Sequence, residues 1–325
     1  MSGALDLFFS DRWLAWGLGP VLAVNLGFWP LAVTLEWLAR LPSSKDKLIA
    51  WRGGNVDRLQ EIQKTQEKVP LREQVFGLQG SVMAIVGPGA IFGGILSVYI
   101  FDWLLGMNHC STFDVSCWSA IKSICMMEIV GDFGLYCGHR LLHEVPFLYN
   151  NYHCYHHRIA TPTAFSTASI DAIDETIQAT LPIFSAAMVA RPHPLIFCFY
   201  VALRVAENVM NHSGMEGTIF DHVFLRYEWL GRARASHRTF LIGALNPSFN
   251  RHFFADKIYG LHVYSTDCIT DDSHHRFGGR AGKGMNLGEN FWIWDYVFGT
   301  YQRRSNLRLG CCAFRSGGAG DKKAN

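Results

Sequence analysis

The chain has 325 residues, of which 49% are apolar, 14% aromatic and 17% charged, and its formal net charge is +2. That balance is greasier than most soluble domains and points to a membrane protein. It sets nucleic-acid binding aside, because the charge is small and no Lys/Arg stripe with interleaved aromatics runs along the chain.

Taken in chain order, residues 13–38 form the first apolar run, with only Glu36 charged and tryptophans near both ends, long enough to cross ~30 Å of hydrocarbon. Nothing before it reads as a basic region, a short apolar core and a cleavage site, so no cleaved signal peptide is expected. Residues 79–105 form the second run, free of charge until Asp102. Residues 117–138 form a third that carries Lys122, Glu128 and Asp132, groups that must face protein or water rather than acyl chains. Residues 176–211 hold two apolar stretches split by Arg191-Pro192-His193-Pro194, which no helix passes unbroken, and read as a tight helical hairpin. The expectation is an all-α integral membrane protein with about four transmembrane helices, the last two a hairpin, and a cytosolic helical cap. Its parts are an N-terminal membrane region over 1–116, a histidine-rich region over 117–305 and a flexible tail over 306–325.

Orientation follows from the basic residues, which favour short cytoplasmic loops. The loop after the first span carries Arg40, Lys45, Lys47, Arg52, Arg58, Lys64, Lys68 and Arg72, whereas residues 106–116 carry none. The first loop is therefore expected in the cytosol and the second in the lumen, which brings every histidine-rich segment to one cytosolic face. The nine cysteines are odd in number and lack a CxxC pair, which argues against a disulfide framework. Cys110 and Cys117 can pair if their loop faces an oxidising lumen; otherwise all nine are free thiols. The chain ends Lys322-Lys323-Ala324-Asn325, which resembles the dilysine retrieval signal of endoplasmic reticulum membrane proteins.

The stretch from His139 to His157 packs five of the fourteen histidines into nineteen residues. His139 and His143 are four apart and share a helical face; His153, His156 and His157 stand at i, i+3 and i+4, again one face. A lone histidine is most simply a satisfied core residue, but two clusters at this spacing point to a metal. Imidazole suits Zn, Cu, Fe and Ni, and five histidines exceed what one tetrahedral ion uses. Two ions, or one of high coordination, are implied, and redox-active iron fits an all-nitrogen site. Asp132 and Tyr136 lie on the same stripe as His139, where a carboxylate can accept an imidazole N–H.

His139-x3-His143 followed by His153-x2-His156-His157 resembles the first two histidine boxes of the fatty acid hydroxylase/sterol desaturase superfamily. Asp132-x3-Tyr136-x2-His139-Arg140, Pro146 and Tyr149 match its surroundings, and Asn286-Leu287-Gly288 with Trp294-Asp295-x2-Phe298-Gly299-Thr300 is similar to its closing signature. The resemblance implies a membrane oxygenase with two non-haem iron ions, O2 as co-substrate and a lipid substrate, whose electrons come from cytochrome b5 or an NAD(P)H-linked reductase, since no haem-binding motif is present. It also implies a third box at His274 and His275, with Asp271 where a histidine would stand. Asp271 either ligates iron directly or marks a weakened, catalytically silent relative that binds lipid or metal. His212 is the best match to a further ligand, with Asn208 and Glu207 as neighbours, and Glu175 falls where the family often places a Glu. His109, His193, His222, His237, His252 and His262 match no box. His212-Ser213-Gly214 and the reading of 271–275 lean toward the C-4 methylsterol oxidases of that superfamily.

Overall fold

The computed structural model describes residues 8–43, 70–77, 79–85, 88–107, 115–157, 163–213, 287 and 293–300, and every element among them is helical, with no strand. The first, α1 (Trp13–Ala39), opens with a π-helical stretch and runs as one helix for 27 residues. Among the described residues it is the one helix long and apolar enough to cross a membrane by the length-and-hydropathy criterion. It buries Ala23, Gly27, Phe28, Leu31, Ala32 and Leu35 on one face and exposes Leu22, Leu26, Val33 and Trp37 on the other.

The second expected span is not one continuous described helix. Two short helices, α2 (Leu71–Phe76) and α3 (Ser81–Ile85), precede α4, which is Pro88–Val98 continued by the π-helical Tyr99–Leu104. Helix α5 (Cys117–Glu144) is capped by Ser116, whose hydroxyl accepts from the Ser119 amide at 3.2 Å. It outlasts the expected third span by six residues and stops at Val145, which Pro146 holds out of the helical region. His139 and His143 thus sit in the last turns of a 28-residue helix. Glu128 and Asp132 turn inward as expected, but Lys122 is exposed, five residues from the start of the helix, where its stem can reach toward the end of the bundle.

A winding run, α6, comprises Pro146–Leu148, the π-helical Tyr149–His153 and Cys154–His157. Helix α7 runs through Ala172–Glu175, Thr176–Thr180 and Leu181–Ala190. It ends where Arg191 takes a left-handed conformation, φ 46°, and α8 (Pro194–His212) begins with the His193 ring capping Leu195. The break at 191–194 is where the sequence places it, yet the two arms seat on different helices: α7 against α5, α8 against α1. Glycines permit this. A Cβ on Gly134 or Gly138 would run into Pro182 or the Ile177 carbonyl, and one on Gly27 would strike the Ala202 carbonyl. One aromatic core (Trp16, Phe101, Phe184, Phe197) fills the end of the bundle near the 191–194 turn; another (Phe28, Leu35, Phe165, Met210) lies beneath the ends of α1 and α8. The short α9 (Ile293–Phe298) lies against α5, with Phe298 stacked on Tyr136 and Trp294 packed on Phe133.

Candidate metal centre

Six buried imidazoles meet where α5, α6 and α8 end: His139, His143, His153, His156, His157 and His212. His153, His156 and His157 do not share one face, as their spacing suggests; the six fall into two groups. His139, His143, His153 and His157 offer ligand atoms that all lie within 4.8 Å of one another. His156 is turned away and sets its Nε2 against that of His212 at 3.4 Å. The reason is helical geometry: residues 153 and 157 are four apart and nearly eclipsed, whereas 156 is rotated by about 100° from 157.

The Nε2 atoms of His143, His153 and His157 form a triangle with sides of 2.9, 3.0 and 3.2 Å. Such a triangle is poorly served by hydrogen bonds, because neutral imidazole has one N–H and an opposed lone pair repels its like. An ion resolves it: two nitrogens each about 2.1 Å from one metal and 90–109° apart stand about 3.0–3.4 Å from each other. Both the triangle and the His156–His212 pair meet that test, so the residues fit a resident metal.

The outer ring nitrogens are held in a way that keeps Nε2 available. The Nδ1–H of His153 donates to Asp174 Oδ2 at 2.8 Å, that of His139 to the Leu287 carbonyl at 3.1 Å, and that of His212 to the Asn208 carbonyl at 3.0 Å. None of these acceptors can donate, so each fixes the tautomer with its lone pair on Nε2. The Tyr149 ring covers His143, with centroids 5.2 Å apart.

The other expected site residues fall as follows. Asp132 is fully buried, but its carboxylate accepts from the Trp294 indole at 2.8 Å and faces Arg204, about two helical turns from the level of His139. The Tyr136 hydroxyl meets Thr300 Oγ1 at 2.9 Å and accepts from Arg140 at 3.2 Å. The hydrogen bond from Arg140 to Glu144 raises the guanidinium pKa above its ordinary value. Asn208 serves His212 through its backbone carbonyl, and Glu207 pairs instead with Arg204 at 2.9 Å. Glu175 is half-buried, while its neighbour Asp174 is the carboxylate on His153; Asp171, three residues before it, caps the helix and turns residue 174 inward. Asp271, His274 and His275 lie outside the described residues, as do His109, His222, His237, His252, His262, Cys110, most of the basic loop after α1 and the tail with its two lysines.

Sequence reasoning missed three participants. Asp174 was passed over for Glu175, although an acid three residues past an N-cap Asp is placed to turn back over the first turn. Arg204 lay inside an apolar run, and its pairing with Glu128 at 3.5 Å and Glu207 at 2.9 Å needs two helices brought together. Asp295 stands in the sequence only as part of a motif, yet it is buried and accepts from Leu287 N and Thr300 Oγ1, both at 2.7 Å.

The family model for fatty acid hydroxylase matches residues 124–300. Among curated proteins, methylsterol monooxygenase 2-1 of Arabidopsis thaliana is 27% identical over 197 residues, 60% of this chain and 61% of the relative. Methylsterol monooxygenase 2-2 of the same plant is 31% identical over 121 residues, 37% of this chain and 44% of the relative. A fatty acid hydroxylase of a Lecanicillium species is 26% identical over 199 residues, 60% of this chain and 45% of the relative. The chain thus spans about three fifths or less of each of these relatives. No solved structure matches it.

Proposed function

From its place in the fatty acid hydroxylase family, to which the chain belongs, we propose that this protein is a membrane oxidoreductase that uses non-haem iron and O2 to oxidise a lipid. The observation that carries the reading is the set of converging, buried Nε2 atoms at a spacing suited to a metal ion, with the tautomers of His139 and His153 fixed by their Nδ1 acceptors. His139, His143, His153 and His157 would hold one ion, and His156 with His212 would contribute to a second, together with Asp271, His274 and His275. Bound iron supplies the activation of O2 needed to attack an unreactive C–H bond. The chain's own share is to orient the imidazoles through Asp174 and the two carbonyls, to keep water out with Tyr149, and to admit the substrate from the bilayer.

Membrane insertion of α1, α4, α5 and the α7–α8 hairpin is part of the same proposal. The exposed apolar side chains on their outer faces, among them Ile91, Phe92, Ile95, Ile129, Val189 and Phe199, suit contact with acyl chains. At 28 residues α5 is about 42 Å long, against roughly 30 Å of hydrocarbon, so its histidine-bearing end would stand clear of the bilayer. An endoplasmic reticulum location with the site on the cytosolic face belongs to the same proposal, and the basic residues after α1 support that orientation. The substrate we favour is a C-4 methylsterol, on the strength of the methylsterol monooxygenase relatives, with a fatty-acyl lipid as the second candidate in view of the fatty acid hydroxylase.

Purified protein is expected to hold two irons per chain, and microsomes containing it, supplied with NADH, O2 and cytochrome b5, to convert a 4-methylsterol. Conversion of an acyl lipid instead would reassign the substrate. Protein that holds no iron, or zinc that iron loading cannot replace, would favour a silent metal- or lipid-binding relative and overturn the oxidase.

A further inference from the structure

The C-terminal segment returns to α5 and closes a hydrogen-bonded loop on it whose two ends are one helical turn apart, at Tyr136 and His139. Thr300 Oγ1 has one hydrogen, and the carboxylate of Asp295 takes it at 2.7 Å. The Tyr136 hydroxyl must therefore donate to Thr300 at 2.9 Å, and Arg140 in turn donates to Tyr136 at 3.2 Å. The same Asp295 oxygen, Oδ1, accepts from Leu287 N at 2.7 Å. Leu287 then presents its carbonyl to His139 Nδ1 at 3.1 Å. Asp295 and Leu287 are each 1% exposed, and the chain of donors is anchored by a cation at one end and a carboxylate at the other, which favours each bond along it.

We propose that Asp295 is a positioning residue for His139, acting through Leu287: it fixes the residue whose carbonyl selects the His139 tautomer and aims Nε2 at the metal. This rests on the metal reading above. It gives the Asn286-Leu287-Gly288 and Trp294-Asp295 motifs a common task, since one supplies the carbonyl and the other the carboxylate that holds it.

The test is iron affinity of the purified full-length protein, measured by competition with a chelator, together with the thermal midpoint of the iron-free form. Asp295→Ala is expected to weaken iron binding by about 10–100-fold, the usual cost of losing an outer partner of a ligand histidine. Asp295→Asn retains an acceptor oxygen and should recover most of that loss. Trp294→Phe, on the same short helix as Asp295, cuts the indole bond to Asp132 on α5 and should leave affinity within about twofold while lowering the thermal midpoint. In a His139→Ala background, Asp295→Ala should add nothing, because its route to the metal is gone. If Asp295→Ala does not fold, Asp295→Ser, too short to reach Leu287 N, replaces it in the same cycle, alone and with His139→Ala. Full affinity in the variant used, an equal loss in Trp294→Phe, or an undiminished loss in the His139→Ala background would each overturn the proposal. Wild-type protein that binds no iron would overturn the functional reading as well; wild-type binding with unaffected variants would sink this inference alone.

Discussion

Two buried polar centres share helices α5 and α8, about 10–12 Å apart along them, and they are balanced in opposite ways. Around Arg204 unlike charges meet: its guanidinium, 4% exposed, lies 2.9 Å from Glu207, 3.5 Å from Glu128 and 3.9 Å from Asp132. Around His143, His153 and His157 like atoms meet, three Nε2 nitrogens about 3 Å apart. The first centre draws its counter-charges from the protein. The second has the spacing of a set that could hold a metal ion. Burial and polarity alone would call both of them ion-pair cores; what separates them is the sign of the atoms that face each other.

The largest effect is expected from His157→Gln, which keeps volume but removes one corner of the triangle. Iron content and lipid conversion should fall by more than about 100-fold, beyond the range for outer partners, while the thermal midpoint of the iron-free protein barely moves. If metal analysis finds iron retained, the contrast fails. Arg204→Met should do the reverse. Stripping the cation from three facing carboxylates is expected to cost about 3–5 kcal/mol in an unfolding titration, with or without iron present.

How far these centres could be read in advance depended on how local their determinants are. The i, i+4 pairs His139/His143 and His153/His157 were legible because four residues along a helix is itself a contact. The break at Arg191-Pro192 was legible because proline forbids continuity. The facing of His156 toward His212 was not, since it depends on where α8 ends relative to α6, fifty-six residues away in sequence. Nor was the seating of the hairpin arms on separate helices, which Gly27, Gly134 and Gly138 decide by letting backbones approach. Asp132 illustrates the limit of a stripe argument: it lies on the predicted face, yet the Trp294 indole and Arg204 reach it from elements that no helical period reveals.

Asp174→Asn sharpens the contrast at smaller amplitude. An amide still offers His153 an acceptor oxygen but not a charge, so iron affinity should fall by about tenfold, the low end for such partners, and the Arg204 centre should be indifferent.

The smallest effect belongs to the lone histidine at the far end of α8. His193 uses Nδ1 to accept from the Leu195 amide at 3.1 Å, a task only the neutral ring can perform, and its ring lies 5.8 Å from that of Phe9. Burial lowers its pKa below the ordinary 6.5. The unfolded chain therefore takes up a proton as pH falls through 6.5 before the folded protein does, so this group's contribution to stability is complete above that pH and declines below it until the folded form also titrates. His193→Asn keeps a capping acceptor without the titration. Thermal melts of iron-free protein should show the wild type losing at most about 1 kcal/mol more than the variant between neutral and acidic pH, the scale of one neutral hydrogen bond. Identical pH profiles would mean that His193 is not held neutral, and that isolation from charge partners, unlike the crowding of Nε2 atoms at the other end of α8, does not set the state of an imidazole in this fold.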